Sequence, residues 1–244
     1  MWETTITKIQ IVMNIPPGVL AKALQDLDKS MRNSLDGSKI ENIKDTIGDY
    51  AIAAAVASGV AGVVPGFAGV AAALTQAGFV WATYVKINNT LGISMSENTA
   101  KFIGSAIVTN LVTSAGAFIA VLLGSTILSL VPVVQVAAIA LNAGLGYIII
   151  YVSAIIYLKL IAKLMQPDGT LHVAESDDTK HIIHEIIKES NLKDMIKEGK
   201  ASYKQAKDSG EIDRAKNKLH CPECNAEVRE GQQYCSECGA KIIN

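Results

Sequence analysis

Charge is what this sequence has least of. Only 18% of its 244 residues are Asp, Glu, Lys or Arg, against about 25% in an average soluble chain. The deficit is local: the 109 residues from Tyr50 to Leu158 carry three formal charges, Lys86, Glu97 and Lys101, where average composition would place about 27. An ordinary soluble domain is excluded for that stretch. The net charge of −1 supplies no overall basic field to attract nucleic acid or an anionic membrane surface. A basic, apolar, small-residue leader is also missing from Met1-Trp2-Glu3-Thr4-Thr5, so no secretory signal is expected. No cysteine lies outside Cys221 to Cys238; that clustering favours metal ligation in a reducing compartment over a disulfide framework. No nucleophile and base pair, open metal site or phosphate loop emerges, which argues against an enzyme.

What is present is mainly helical pattern. The β-branched residues from Thr5 to Val12 suggest a short strand closed by Pro16-Pro17-Gly18. Leu20, Leu24, Leu27, Met31 and Leu35 then recur at helical spacing, predicting an amphipathic helix that ends near Gly37. Ser38 with Glu41, and Ser94 with Glu97, have the spacing of capping boxes and predict new helix starts. Tyr50 to Val85 and Phe102 to Leu158 are uncharged runs of 36 and 57 residues, interrupted at Gly62 to Gly66 and around Gly124 to Pro132. Each run therefore reads as a helical hairpin with an uncharged tip. The four arms, 38–62, 66–89, 96–123 and 132–165, each reach the ~20 residues that a ~30 Å hydrocarbon layer requires.

The expected organisation is an N-terminal strand and amphipathic helix at 1–37, a two-hairpin hydrophobic domain at 38–165, a charged helical linker at 166–219 and a cysteine module at 220–244. The fold class is thus an all-α membrane-type domain of four long apolar helices, followed by a small β zinc ribbon. Helices that are apolar all round must be enclosed by protein or by lipid, and four in succession favour lipid. Lys86, Lys101, Lys159 and Lys163 flank the open ends of the hairpins, so the positive-inside rule places both termini in the cytoplasm. Tyr50, Trp81, Tyr84 and Tyr157 near those ends are candidate interfacial anchors. The tips either cross the layer or stop within it as re-entrant loops.

Small residues four apart, at Gly69, Ala73 and Ala77 and at Gly116, Ala120 and Gly124, suit close helix packing and self-association in lipid. Thr109, Asn110, Thr113, Ser114, Gln135, Asn142 and Ser153 are polar groups within the apolar arms, read either as interhelical hydrogen-bond glue or as the lining of an aqueous path. Pro65-Gly66, Gln76, Leu91-Gly92-Ile93-Ser94 and Pro132 resemble the GTPase-associated hydrophobic domain family catalogued as domain of unknown function 697. The resemblance covers residues 46–163 and implies a membrane role beside a small GTPase. With no Gly-x-x-x-x-Gly-Lys-Ser/Thr loop in the chain, that GTPase would be a separate partner.

Cys221-Pro222-Glu223-Cys224 and Cys235-Ser236-Glu237-Cys238 form two C-x-x-C turns with ten residues between them. Four thiolates complete a tetrahedral shell for one structural Zn2+, and Asn225 and Gly239 suit the left-handed positions of knuckle turns. The module resembles the short zinc-ribbon family over its whole length. Arg229 and Lys241 face four acidic residues there, which argues against nucleic acid and favours protein contact. His220 reads as a neighbour of the site, and His181 and His184 as solvated helix residues. The expected function is a non-enzymatic membrane hairpin protein bearing a cytosolic zinc-ribbon adaptor. The alternatives are an oligomeric pore or channel and a soluble helical bundle assisting a GTPase.

Overall fold

In the computed structural model, described residues are 18–61, 70–127, 134–166, 170–171, 173–216, 219–221, 227–228, 233–236, 239 and 241; residues 59–61, 70–77, 112, 114–127, 134–141, 219–220 and 227 are described by backbone alone. Along them run α1 (Val19–Ser30), α2 (Gly37–Ala61), α3 (Val70–Leu91), α4 (Glu97–Ile127), α5 (Val134–Leu164), α6 (Asp177–Glu189), α7 (Leu192–Asp208) and α8 (Glu211–Lys216). Strands β1 (Leu219–His220) and β2 (Glu227–Val228) follow, paired antiparallel with Leu219 opposite Val228. The expected strand before Pro16, the hairpin turns at 62–69 and 128–133, Cys224 and Cys238 lie outside the described residues.

The helix signals fall close to the expected arms, with local corrections at their ends. α1 stops at Ser30, seven residues before Gly37, because Arg32 and Asn33 turn to positive φ (56° and 59°). The chain then folds back, and the Leu35 N–H donates to the Asp28 carboxylate at 2.9 Å. Asp36, not Ser38, caps α2, its carboxylate accepting from the Lys39 N–H at 2.8 Å. Ser96, not Ser94, caps α4, its hydroxyl accepting from the Thr99 N–H at 3.0 Å. Satisfying the free N–H groups of a first turn requires a side-chain oxygen at the cap itself, and a residue two positions away cannot supply it. Leu91-Gly92-Ile93-Ser94 follows the same logic: Gly92 takes φ +71° and the Ile93 N–H returns to the Asn88 carbonyl at 2.9 Å, ending α3.

α5 is the axis of the fold, in contact with α1, α2, α3, α4, α6 and α7. Residues 150–158 are buried without interruption. Tyr84 and Tyr157, expected as interfacial anchors, are instead fully buried and stacked, with ring centroids 3.8 Å apart. Buried phenols need partners: the Tyr84 hydroxyl donates to the Ser153 carbonyl (3.1 Å), and that of Tyr157 to Asn88 Oδ1 (2.7 Å). Trp81 is half-buried and lies beneath the Lys101 ammonium, 4.9 Å from its ring centroid.

The expected charged linker packs against the hairpins. Ile183, Ile186 and Ile187 of α6, Met195 and Ile196 of α7, and Ile212 of α8 are buried in the same core as α2 to α5. With α1 they form a shell whose inner stripe is apolar and whose outer face is charged, as an amphipathic helix on water requires. The shell alters the reading of the arms. Of the four expected spans, one segment, Asn142–Leu164, is long and apolar enough to cross a membrane among the described residues, and 78% of its most apolar window is buried inside the bundle. The four lipid-facing apolar helices predicted from composition are thus replaced, at the open end of the hairpins, by a protein-enclosed head.

Candidate functional site

Cys221 directly follows β1, which places it at the exit of the only strand pair among the described residues. Across the module, Tyr234 bridges to Lys241 around the second cysteine turn. Cys221 and Cys235 are 1% and 3% exposed. Burying two thiols in a 25-residue module too small for its own apolar core fits their use as ligands. The glycine after the second pair takes φ +74°, and its N–H donates to the Cys235 carbonyl at 2.9 Å. A left-handed glycine directly after the pair is what a metal knuckle turn needs. Cys224 and Cys238 would complete the Zn2+ shell. A fully protein-liganded zinc has no open position for chemistry; bound here, it would supply folding energy.

The other polar candidates do not converge on one site. Thr109 and Thr113 are exposed, and the Thr113 hydroxyl donates to the Thr109 carbonyl at 2.9 Å within its own helix. Asn110 donates to the Ala106 carbonyl (2.8 Å) and faces His184 Nδ1 on α6 (3.4 Å). Ser153 sits in the core, donating to the Ile150 carbonyl. The side chains of Ser114 and Gln135, and those of the small-residue rows at 69–77 and 116–124, lie outside the described residues. His181 and His184 are exposed, and no cluster of three metal-binding groups occurs among the described residues.

One site residue gave no signal in the sequence. Glu198 of α7 turns inward, and its carboxylate accepts the backbone N–H groups of Val19 and Leu20 and, at 2.9 Å, the hydroxyl of Tyr151 on α5. A side chain 178 residues away thus serves as the anionic cap of α1, where the helix dipole favours negative charge. Gly18 makes room for it: a Cβ there would lie 2.8 Å from both carboxylate oxygens. At the start of α6, Asp177 accepts from Lys180 at 2.8 Å, and this hydrogen bond holds its carboxyl below the usual range. Burial, then the nearby Asp213, pushes the Tyr203 phenol up.

Among known proteins, residues 220–242 match a zinc-ribbon domain family. The C-terminal module is therefore similar to zinc ribbons, a class that generally binds zinc. No curated protein and no solved structure matches the chain.

Proposed function

We propose that this is a non-enzymatic membrane protein whose packed helical head stays in the cytoplasm while the uncharged ends of its two hairpins enter the bilayer, and whose zinc ribbon recruits protein partners. The observation that carries the reading is how the helices continue past the head. α4 runs from Leu111, its last described core residue, to Ile127, about 24 Å at 1.5 Å per residue. No charged residue occurs at 112–141, or at 59–77 in the first hairpin. Every formal charge of the chain lies outside these two segments, so they are the part that lipid can accept at least cost. Both termini then stay with the head on the cytoplasmic side, where thiolates remain reduced. The resemblance of residues 46–163 to the GTPase-associated family supports a separate GTPase as one partner, and the small-residue rows support self-association.

A second reading, a soluble or only conditionally inserting bundle, is favoured by the burial of Asn142–Leu164 beneath the amphipathic shell. Flotation of the cell-expressed full chain on a density gradient, before and after alkaline carbonate wash, separates the two. The membrane reading expects flotation that resists the wash, and recovery in the soluble fraction would overturn it. Leakage of dye from vesicles carrying the protein would move the assignment to a pore.

A further inference from the structure

α7 carries five lysines, Lys193, Lys197, Lys200, Lys204 and Lys207, spaced four, three, four and three residues apart. At 100° per residue they fall within an arc of about 80°, a stripe about 21 Å long. Lys193, Lys197, Lys204 and Lys207 are exposed. None of these four forms an ion pair with a described residue, whereas Lys29, Lys44, Lys101, Lys180 and Lys216 each pair with a carboxylate one helical turn earlier. Two of the three acids of α7, which ends on Asp208, have partners of their own. Asp194 accepts from the Asn191 amide (2.7 Å), and Glu198 is engaged beneath α1.

The direction of α7 decides what this stripe meets. Lys159 of α5 contacts Ser190, just before α7; Tyr151 contacts Glu198; Tyr147 contacts Ser202 at 2.7 Å. α7 therefore runs antiparallel to α5 and points toward the hairpin tips. Lys207, five residues beyond Ser202, reaches about 7 Å further along this axis, to the level where the described head side chains begin at Asn142. At this neck Lys204, Lys207 and Arg214 stand against Asp208 and Glu211, Asp213 being paired with Lys216 at 3.1 Å.

We propose that the tipward end of α7, centred on Lys204 and Lys207, docks on the anionic headgroups of the bilayer that receives the hairpins. This inference rests on the insertion reading above and specifies its lipid class and its depth. Headgroup attraction fades within a Debye length of about 10 Å, so Lys193 and Lys197, about 21 and 15 Å above Lys207, lie beyond its reach. Along α7, charge and position coincide only at the neck.

The test uses the purified full chain with vesicles of phosphatidylcholine alone or mixed with phosphatidylserine, at about 0.1 M salt, where the Debye length is about 10 Å. Wild type is expected to bind the mixed vesicles about 30-fold more tightly, the gain conferred by two lysines at a surface. Lys204→Gln/Lys207→Gln should lose most of that gain while keeping its binding to neutral vesicles, and Lys193→Gln/Lys197→Gln should keep both. Equal binding of wild type to the two vesicles overturns the inference and leaves insertion standing. Equal losses in the two variants also overturn it, because they describe a long polyanion gripped along the whole helix; so does a loss seen on single-stranded RNA but not on vesicles. Binding to mixed vesicles alone, abolished in Lys204→Gln/Lys207→Gln, refutes insertion and the depth derived from it while upholding the headgroup contact of Lys204 and Lys207. No binding to either vesicle refutes both.

Discussion

Replacing Glu198 by alanine removes one carboxylate from three donors at once, and the cost can be worked from its contacts. A hydrogen bond to a charged group contributes about 1.5–3 kcal/mol, and an anion at a helix N-terminus about 0.3–1 kcal/mol more. The N–H groups of Val19 and Leu20 and the Tyr151 hydroxyl are all part-buried, so water replaces the lost acceptor only incompletely. The three bonds share one carboxylate and are not additive, which sets the expected loss at about 2–3 kcal/mol. Because α1 touches the rest of the fold mainly through its own apolar stripe and this cap, the loss should appear as local opening of α1. Hydrogen exchange resolved by peptide, on the full chain, reads it directly. Protection of the α1 amides should fall about 30- to 150-fold in Glu198→Ala, since 1.4 kcal/mol is a factor of ten, while α6 keeps its protection. Glu198→Gln retains one acceptor oxygen and should fall less. A change below about threefold in α1 for Glu198→Ala would refute a capping role.

One zinc per chain is expected by elemental analysis. Cys221→Ser or Cys235→Ser, like chelation, should unfold the ribbon and leave far-UV helicity unchanged, because the metal contributes about 10 kcal/mol to so small a module. Tyr157→Phe should destabilise the head by about 1–2 kcal/mol in chemical denaturation by leaving Asn88 Oδ1 without its donor; Tyr157→Ala, which also removes the stack on Tyr84, should cost about 3–5 kcal/mol. Gly199→Val places a branched side chain where even a Cβ meets Tyr151 at 3.2 Å, so α7 should be displaced at about 1–3 kcal/mol. The depressed carboxyl of Asp177 contributes stability that is complete above the ordinary carboxylate range and lost as pH falls through its lowered value. Asp177→Asn should therefore remove an acid-side slope in α6 exchange protection and leave the neutral-side profile flat.

Much of the local structure was legible from residue pattern. The uncharged runs marked the four hairpin arms to within a few residues, because punctuation by Gly, Pro and polar caps is a local property of the chain. The paired C-x-x-C turns marked the ribbon for the same reason: metal ligation within a turn depends on short spacing. Cap identity was less legible. Asp36 and Ser96 each lie two residues before or after the residue that spacing suggested, and either oxygen satisfies a motif until backbone geometry selects one. The lysine stripe of α7 was written in its four-three spacing, yet its meaning depended on where the helix points.

By itself the sequence determined where most of the helices lie, which stretches exclude charge and where the zinc-ribbon module begins, since each follows from neighbours within one or two turns. Only the tertiary structure decided that α1, α6, α7 and α8 enclose the open end of the hairpins, that Tyr84 and Tyr157 are core residues, and that Glu198 caps a helix 178 residues away. An amphipathic stripe specifies that a face must be covered, not by what. The partner that covers it is chosen by shape and by the pairing of buried polar groups across the whole chain, and those are long-range properties that no local window contains.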